Sequence, residues 1–227
     1  MSQRNLSLSP RPLPPLESGD RLTRAEFEIR YQAMPHVKKA ELIEGTVYMA
    51  SPLRAKAHGK PHAHIMGWLT TYEVATPGVE ALDNATVRLD ADNEPQPDAL
   101  LRLEQGGQST ISVDDYVEGA PELIVEIAAS SASLDLNEKL KVYRRNQVRE
   151  YLVWRVYDAI FDWYCLRDGK YVPLEASAEG LLCSIIFPGL WLDPAALLVG
   201  DLAKVLAVLQ QGLNTAEHQN FRRHLQG

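Results

Sequence analysis

The chain has 227 residues, enough for one well-buried core and too few for two full domains. Hydrophobic residues make up 45% and charged residues 23%, the balance of an ordinary globular protein, and no apolar run approaches the roughly 18 residues that a membrane span needs. A net charge of −7 argues against a protein that grips nucleic acid over its whole surface, but leaves room for a local basic strip facing phosphates.

Residues 1–20 are proline-rich and lack the apolar segment of a secretory signal, so they read as a flexible arm on a cytoplasmic protein. Thr23, with Glu26 three residues on, makes a capping-box pattern and predicts a helix to Met34. Residues 40–50 predict a strand bent at Gly45, and Pro61 suits the first turn of a helix running to Tyr72. Short strands are expected over 79–81 and 85–89, and another over 97–103. Residues 121–129 (PELIVEIAA) are almost continuously apolar and rich in Ile and Val, the pattern of a central strand covered on both faces. Asp135 is placed to cap a helix ending at Gln147, and strands follow over 149–157 and 160–166. Asp168-Gly169 predicts a tight hairpin into 170–174. From Pro194 the chain reads as helical with a break near Gly200. Leu202, Val205, Leu206 and Leu209 form an apolar stripe suited either to packing on the sheet or to a second copy of the chain. The pattern is one α/β domain over 21–199 with a C-terminal helical extension over 200–227. Cys165 and Cys183 match no metal or redox spacing, as expected of reduced thiols.

Alternation along 121–129 puts Glu122, Ile124, Glu126 and Ala128 on one face. Glu122 is expected at the exposed start of the strand. A carboxylate in mid-strand, such as Glu126, costs several kcal/mol to bury unless a cation or donors compensate it. Asp98, one residue into the preceding strand, supplies a second carboxylate. Two acids from neighbouring strands with a backbone carbonyl between them make an oxygen-only site suited to Mg²⁺. On a regular helix Lys139 falls inside the apolar stripe between Leu136 and Tyr143, where it either snorkels or reaches under the sheet toward Glu126. His58, His62 and His64 suggest zinc, but Pro61 disturbs the spacing that would bring them together.

In ordered succession the chain carries ELIEG (41–45), SPLRAKAH (51–58), PQPD (95–98), PELIVEIAASSAS (121–133), the stretch from Asp135 through Lys139 to Tyr143, VREYLVW (148–154) and FPGLWLD (187–193). This set resembles the Uma-two family of restriction-endonuclease domains, within the PD-(D/E)XK nuclease superfamily, over residues 20–195. The resemblance implies a restriction-endonuclease-like α/β fold, a central mixed β-sheet flanked by helices. It implies that Asp98 and Glu126 are metal-binding acids, that Lys139 is the lysine on the following helix, and that Glu44 is an outer or third acid. The chain departs from the superfamily at Ala128, where most members have lysine.

The chemistry implied is hydrolysis of DNA phosphodiesters with Mg²⁺ or Mn²⁺, held by Asp98, Glu126 and the Ile127 carbonyl. Lys139 would orient the attacking water or neutralise transition-state charge. Arg144, Arg145 and Arg149 are candidates for backbone contacts, or else a solvated helix face. A homodimer is expected, since cutting both strands calls for two sites. The alternative is a catalytically inactive nuclease fold that binds nucleic acid or a protein.

Overall fold

A computed structural model describes residues 13–50, 53–129 and 131–226. Residues 1–12 of the expected arm, Ser51 and Pro52 of the SPLRAKAH segment, and Ser130 lie outside them. Helix α1 (Arg24–Gln32) begins at Thr23, whose hydroxyl accepts the Glu26 N–H as the capping pattern requires. Residues 40–50 form two strands rather than one bent strand. β1 (Ala40–Ile43) and β2 (Thr46–Met49) pair antiparallel around Glu44 and Gly45. Both turn residues have positive φ, 51° and 68°, the backbone of a two-residue hairpin loop, so the chain reverses where a bend was expected. Of the arm's described part, Leu16 is buried with Phe27, Leu42 and Val47, and the Gly19 N–H donates to the Val47 carbonyl at 2.9 Å.

A π-helical turn (Ala55–Gly59) leads into α2 (Lys60–Ala75), which carries Pro61 in its first turn. There follow β3 (Val79–Asp83), β4 (Val87–Arg88), β5 (Ala99–Leu103), β6 (Ser109–Ile111), β7 (Val117–Gly119) and β8 (Leu123–Ala128). The next helix starts earlier than Asp135: α3 (Ala132–Leu134) continues through a π-helical turn (Asp135–Lys139) into α4 (Leu140–Arg145). Asp135 is therefore not a cap; it lies inside the helical stretch, 1% exposed. β9 (Glu150–Arg155), β10 (Ile160–Arg167) and β11 (Lys170–Pro173) follow, and Asp168 and Gly169 both take positive φ in the last hairpin. The chain ends with β12 (Leu182–Cys183), β13 (Trp191–Leu192), α5 (Pro194–Val199), α6 (Leu202–Leu213) and α7 (Ala216–Leu225).

The central sheet has the order β11-β10-β9-β8-β5-β3, and within it β8–β9 is the parallel pair. β8 is central and buried along its whole length, as its sequence predicts. Leu123, Val125 and Ile127 pack on one side with Trp68 and Leu69 of α2 and Val205 and Leu209 of α6. The α6 stripe on which a homodimer was expected thus closes the core of its own chain. Ile124 and Ala128 face the other way, against Val142 and Tyr143 of α4 and Tyr151 of β9. Parallel strands cannot be joined by a hairpin, so the chain must cross over between β8 and β9. That crossover is the α3–α4 stretch, which lays it over the Glu126 face of β8. Glu122 is not at an exposed strand start: it is fully buried and accepts the Leu103 and Gln108 N–H groups, each at 2.9 Å.

Candidate active site

The β5–β8 register pairs Ala99 with Val125, so one step further Asp98 comes opposite Glu126. There the ladder is continued by a side chain: Asp98 Oδ2 accepts the Ile127 N–H at 2.8 Å. Asp98 Oδ1 lies 3.2 Å from His58 Nε2 and 3.5 Å from Lys39 Nζ. The Asp98 carbonyl accepts from His62 Nε2 at 2.9 Å, so α2 and the π-helical turn before it hold this residue at backbone and side chain. Burial opposes ionisation of Asp98, yet the His58 hydrogen bond, Lys39 and the Ile127 N–H together hold its carboxyl well below the usual range.

Glu126 is 3% exposed and accepts from Lys139 Nζ at 2.9 Å and from Tyr143 Oη at 2.8 Å, both through Oε1. Its Oε2 accepts no hydrogen bond among the described residues. Burial raises its pKa; the Lys139 ammonium pulls it back, and Asp135, Asp98 and Glu41 push it up again. Lys139 is equally buried, and its ammonium is 2.8 Å from Glu41 Oε1 and 3.7 Å from Asp135 Oδ1. Burial alone would lower its pKa, but three carboxylates raise it well above the ordinary lysine value. Asp135 has no hydrogen-bond partner at either carboxylate oxygen among the described residues, and burial raises its pKa despite the nearby Lys139.

A cavity of about 1280 Å³ opens over this floor, lined by Lys39, Glu41, His58, Asp98, Glu126 and Lys139 among others. Four acids (Glu41, Asp98, Glu126, Asp135) share the neighbourhood with two ammonium groups (Lys39, Lys139), and a divalent cation there would favour the ionised forms of Glu126 and Asp135, whose pKa values burial raises. Asp98 and Glu126 offer hard oxygen donors at the cavity wall, and Ile127 lines it beside them, its carbonyl accepting the Ala129 N–H at 3.1 Å with one lone pair left over. Among the described residues no three His, Cys, Asp or Glu side chains form a ready-made cage for an ion. That donor set fits Mg²⁺ or Mn²⁺, which keep part of their shell for water and substrate oxygens, better than a closed structural site.

Asp98, Glu126, Ile127 and Lys139 are brought together as expected. Glu44 is not: it sits in the β1–β2 turn, away from the cavity, with Oε1 2.7 Å from Arg145 Nη1. Glu41, three residues earlier, takes the place on the floor. Strand alternation was the available signal, since Glu41 interrupts the apolar run AELI on the face turned toward Glu126. Lys39, two residues before it, belongs to the same face. Neither Arg144 nor Arg145 nor Arg149 lines the cavity; they bond Gly169 O, Glu44 with Asp90, and Gln108 respectively. His58 and His62 stack at 5.8 Å and both serve Asp98, whereas His64 lies beside Gly200, so no histidine zinc site forms.

The fold is similar to that of a solved structure from Anabaena variabilis described as a putative nuclease belonging to DUF820. The two superpose with a TM-score of 0.56 at 11% identity, covering 80% of this chain and 97% of that one. No curated protein matches the sequence. A family model described as "Putative restriction endonuclease" matches residues 25–195, a span holding every floor residue from Lys39 to Lys139. On that match the chain, with its restriction-endonuclease-like sheet and its Asp98–Glu126 floor, belongs to the Uma2 family.

Proposed function

We propose that this protein is a divalent-metal-dependent nuclease that hydrolyses DNA phosphodiester bonds. The observation that carries the reading is the meeting of Asp98 and Glu126 across β5 and β8, at the wall of an open cavity, with lysines on either side. The nuclease descriptions of the family and of the structural neighbour agree with it. The protein is read as cytoplasmic, a compartment that keeps cysteines such as the free Cys165 and Cys183 reduced. Among the described residues no helix is long and apolar enough to cross a membrane.

Asp98, Glu126 and the Ile127 carbonyl would hold Mg²⁺ or Mn²⁺, which when bound supplies charge to the phosphate and makes water a better nucleophile. The chain's own groups prepare the site. The Ile127 N–H and His58 hold Asp98 ionised and fixed in direction. Lys139 and Tyr143 engage one oxygen of Glu126 and leave the other available. In the reaction a P–O bond forms from water and the ester P–O bond breaks. Water gives up a proton to solvent, and the departing sugar oxygen takes one up.

A second reading, a nuclease fold that binds without cutting, is favoured by one observation: Ala128 stands where most of the superfamily has lysine, and Lys139 is enclosed by carboxylates. Incubating the protein with supercoiled plasmid and with single-stranded DNA, in Mg²⁺, Mn²⁺ or EDTA, separates the two. Metal-dependent nicking that disappears in Asp98→Ala supports the nuclease. DNA binding without cleavage in either metal supports the second reading.

A further inference from the structure

Three lysines line the cavity, and they stand in different states. Lys139 is 3% exposed at its side chain and faces Glu41, Glu126 and Asp135 within 3.7 Å. Its ammonium donates to Glu126 Oε1 at 2.9 Å and stands 2.8 Å from Glu41 Oε1, with Asp135 Oδ1 beyond hydrogen-bond reach at 3.7 Å. Turning it toward a substrate would strand a buried negative charge, a costly exchange in a desolvated pocket. Lys141 is a surface residue, 58% exposed, paired with Glu138 at 3.0 Å. Lys39 differs from both. It stands immediately before β1, where its carbonyl accepts the Ala50 N–H at 3.2 Å, so its backbone is fixed by the hairpin. Its side chain is 22% exposed and opens on the cavity, and its one ion pair among the described residues is the 3.5 Å approach to Asp98 Oδ1.

We infer that Lys39, rather than Lys139, is the ammonium that touches the phosphate, and that Lys139 is a positioning residue for Glu126 and Glu41. This rests on the nuclease reading and assigns the cation within it. An ammonium with donors to spare, on a fixed strand end beside one of the two metal-binding acids, can meet a non-bridging phosphate oxygen without breaking another pair. Lys39 lies on the Asp98 side of the floor and Lys139 on the Glu126 side, so the position left open by Ala128 is answered from the opposite flank. The part of Lys39 is to offset charge gathering on the phosphate oxygens as the water–phosphorus bond forms and the ester bond breaks.

The test compares Lys39→Met, Lys39→Arg and Lys139→Met in the full chain. It reads cleavage in Mn²⁺, Mn²⁺ affinity by calorimetry, and binding of a fluorescein-labelled DNA duplex in Ca²⁺ between about 50 and about 200 mM salt. Lys39→Met should lower kcat on the order of 10²-fold. It should also flatten the log–log salt dependence by about one phosphate contact. Mn²⁺ affinity should stay equal or tighten, because a cation beside Asp98 has been removed. Lys39→Arg should keep much of both lost functions. Lys139→Met should lose thermal stability together with activity, as befits a residue that organises the floor. Cleavage by Lys39→Met within about twofold of the parent, in a parent that cuts, overturns this inference and leaves the nuclease reading standing. A loss of cleavage that merely tracks lost Mn²⁺ affinity also overturns it. A parent that does not cut DNA, whether or not it binds it, overturns the nuclease reading, and the inference falls with it.

Discussion

Lys139 Nζ and Glu126 Oε1 lie 2.9 Å apart with both side chains 3% exposed, an ion pair formed between a helix and the middle of a sheet. The pair exists because β8 and β9 are parallel and the crossover joining them must pass over this face. The π-helical turn over Asp135–Lys139 brings Asp135 and Lys139 to the same spot, four residues apart. With Glu41 added from β1, one cation serves three buried acids.

Removing that cation should be expensive for the fold. Lys139→Met leaves Glu41, Glu126 and Asp135 without a counter-charge, and breaking a buried pair typically costs about 3–5 kcal/mol. Protonating the acids relieves the repulsion, so the gap in Tm between variant and parent should narrow as pH is lowered from about 8 toward about 5. Thermal melts in EDTA across this range check it. A gap that widens toward low pH would contradict the arrangement.

Asp98 and Glu126 should respond oppositely in the metal-free protein. Asp98 has a lowered pKa, so its contribution to stability is present above its unfolded value near 3.9 and lost as pH falls through the folded one. Glu126 has a raised pKa, so its contribution is full below an unfolded value near 4.3 and lost as pH rises through the folded one. At neutral pH in EDTA, Asp98→Ala should lower Tm, since the buried Ile127 N–H loses its acceptor at a cost of about 1–3 kcal/mol. Glu126→Gln keeps an oxygen for Lys139 and Tyr143 and should leave Tm level or raise it. Equal losses in both variants, measured by scanning fluorimetry, would count against these assignments.

Much of this arrangement could be read from sequence, and the failures have identifiable causes. Glu126 and Lys139 could be picked out because each breaks an apolar pattern, and Asp98 because it offered Glu126 a second carboxylate at the start of a neighbouring strand. Asp135 was misjudged because an acid after Ser-rich sequence looks like a cap, whereas the helix begins three residues earlier and winds through a π-turn. Glu44 attracted attention through motif position, although strand alternation favours Glu41. Lys39 showed no signal until the hairpin was known, since a lysine beside another lysine before a strand reads as ordinary surface. β6 and β7 were missed because three-residue strands carry too little alternation to register.

Glu122 offers a control. It shares the strand face of Glu126 but bonds the Leu103 and Gln108 N–H groups and does not line the cavity. Glu122→Ala should destabilise by about 1–3 kcal/mol for each donor left buried without a partner. Mn²⁺ affinity should not change at temperatures where the variant is folded. A selective loss of metal binding in a folded Glu122→Ala protein would mean that the site extends further along β8 than Glu126.

Whether Asp98 and Glu126 hold a divalent metal as a pair is read out by isothermal titration with Mn²⁺. The parent should show one site, and Asp98→Ala and Glu126→Ala should each abolish it while circular dichroism confirms that both remain folded. Mn²⁺ affinity unchanged in both folded variants would contradict that pairing and remove the metal from the account of this site.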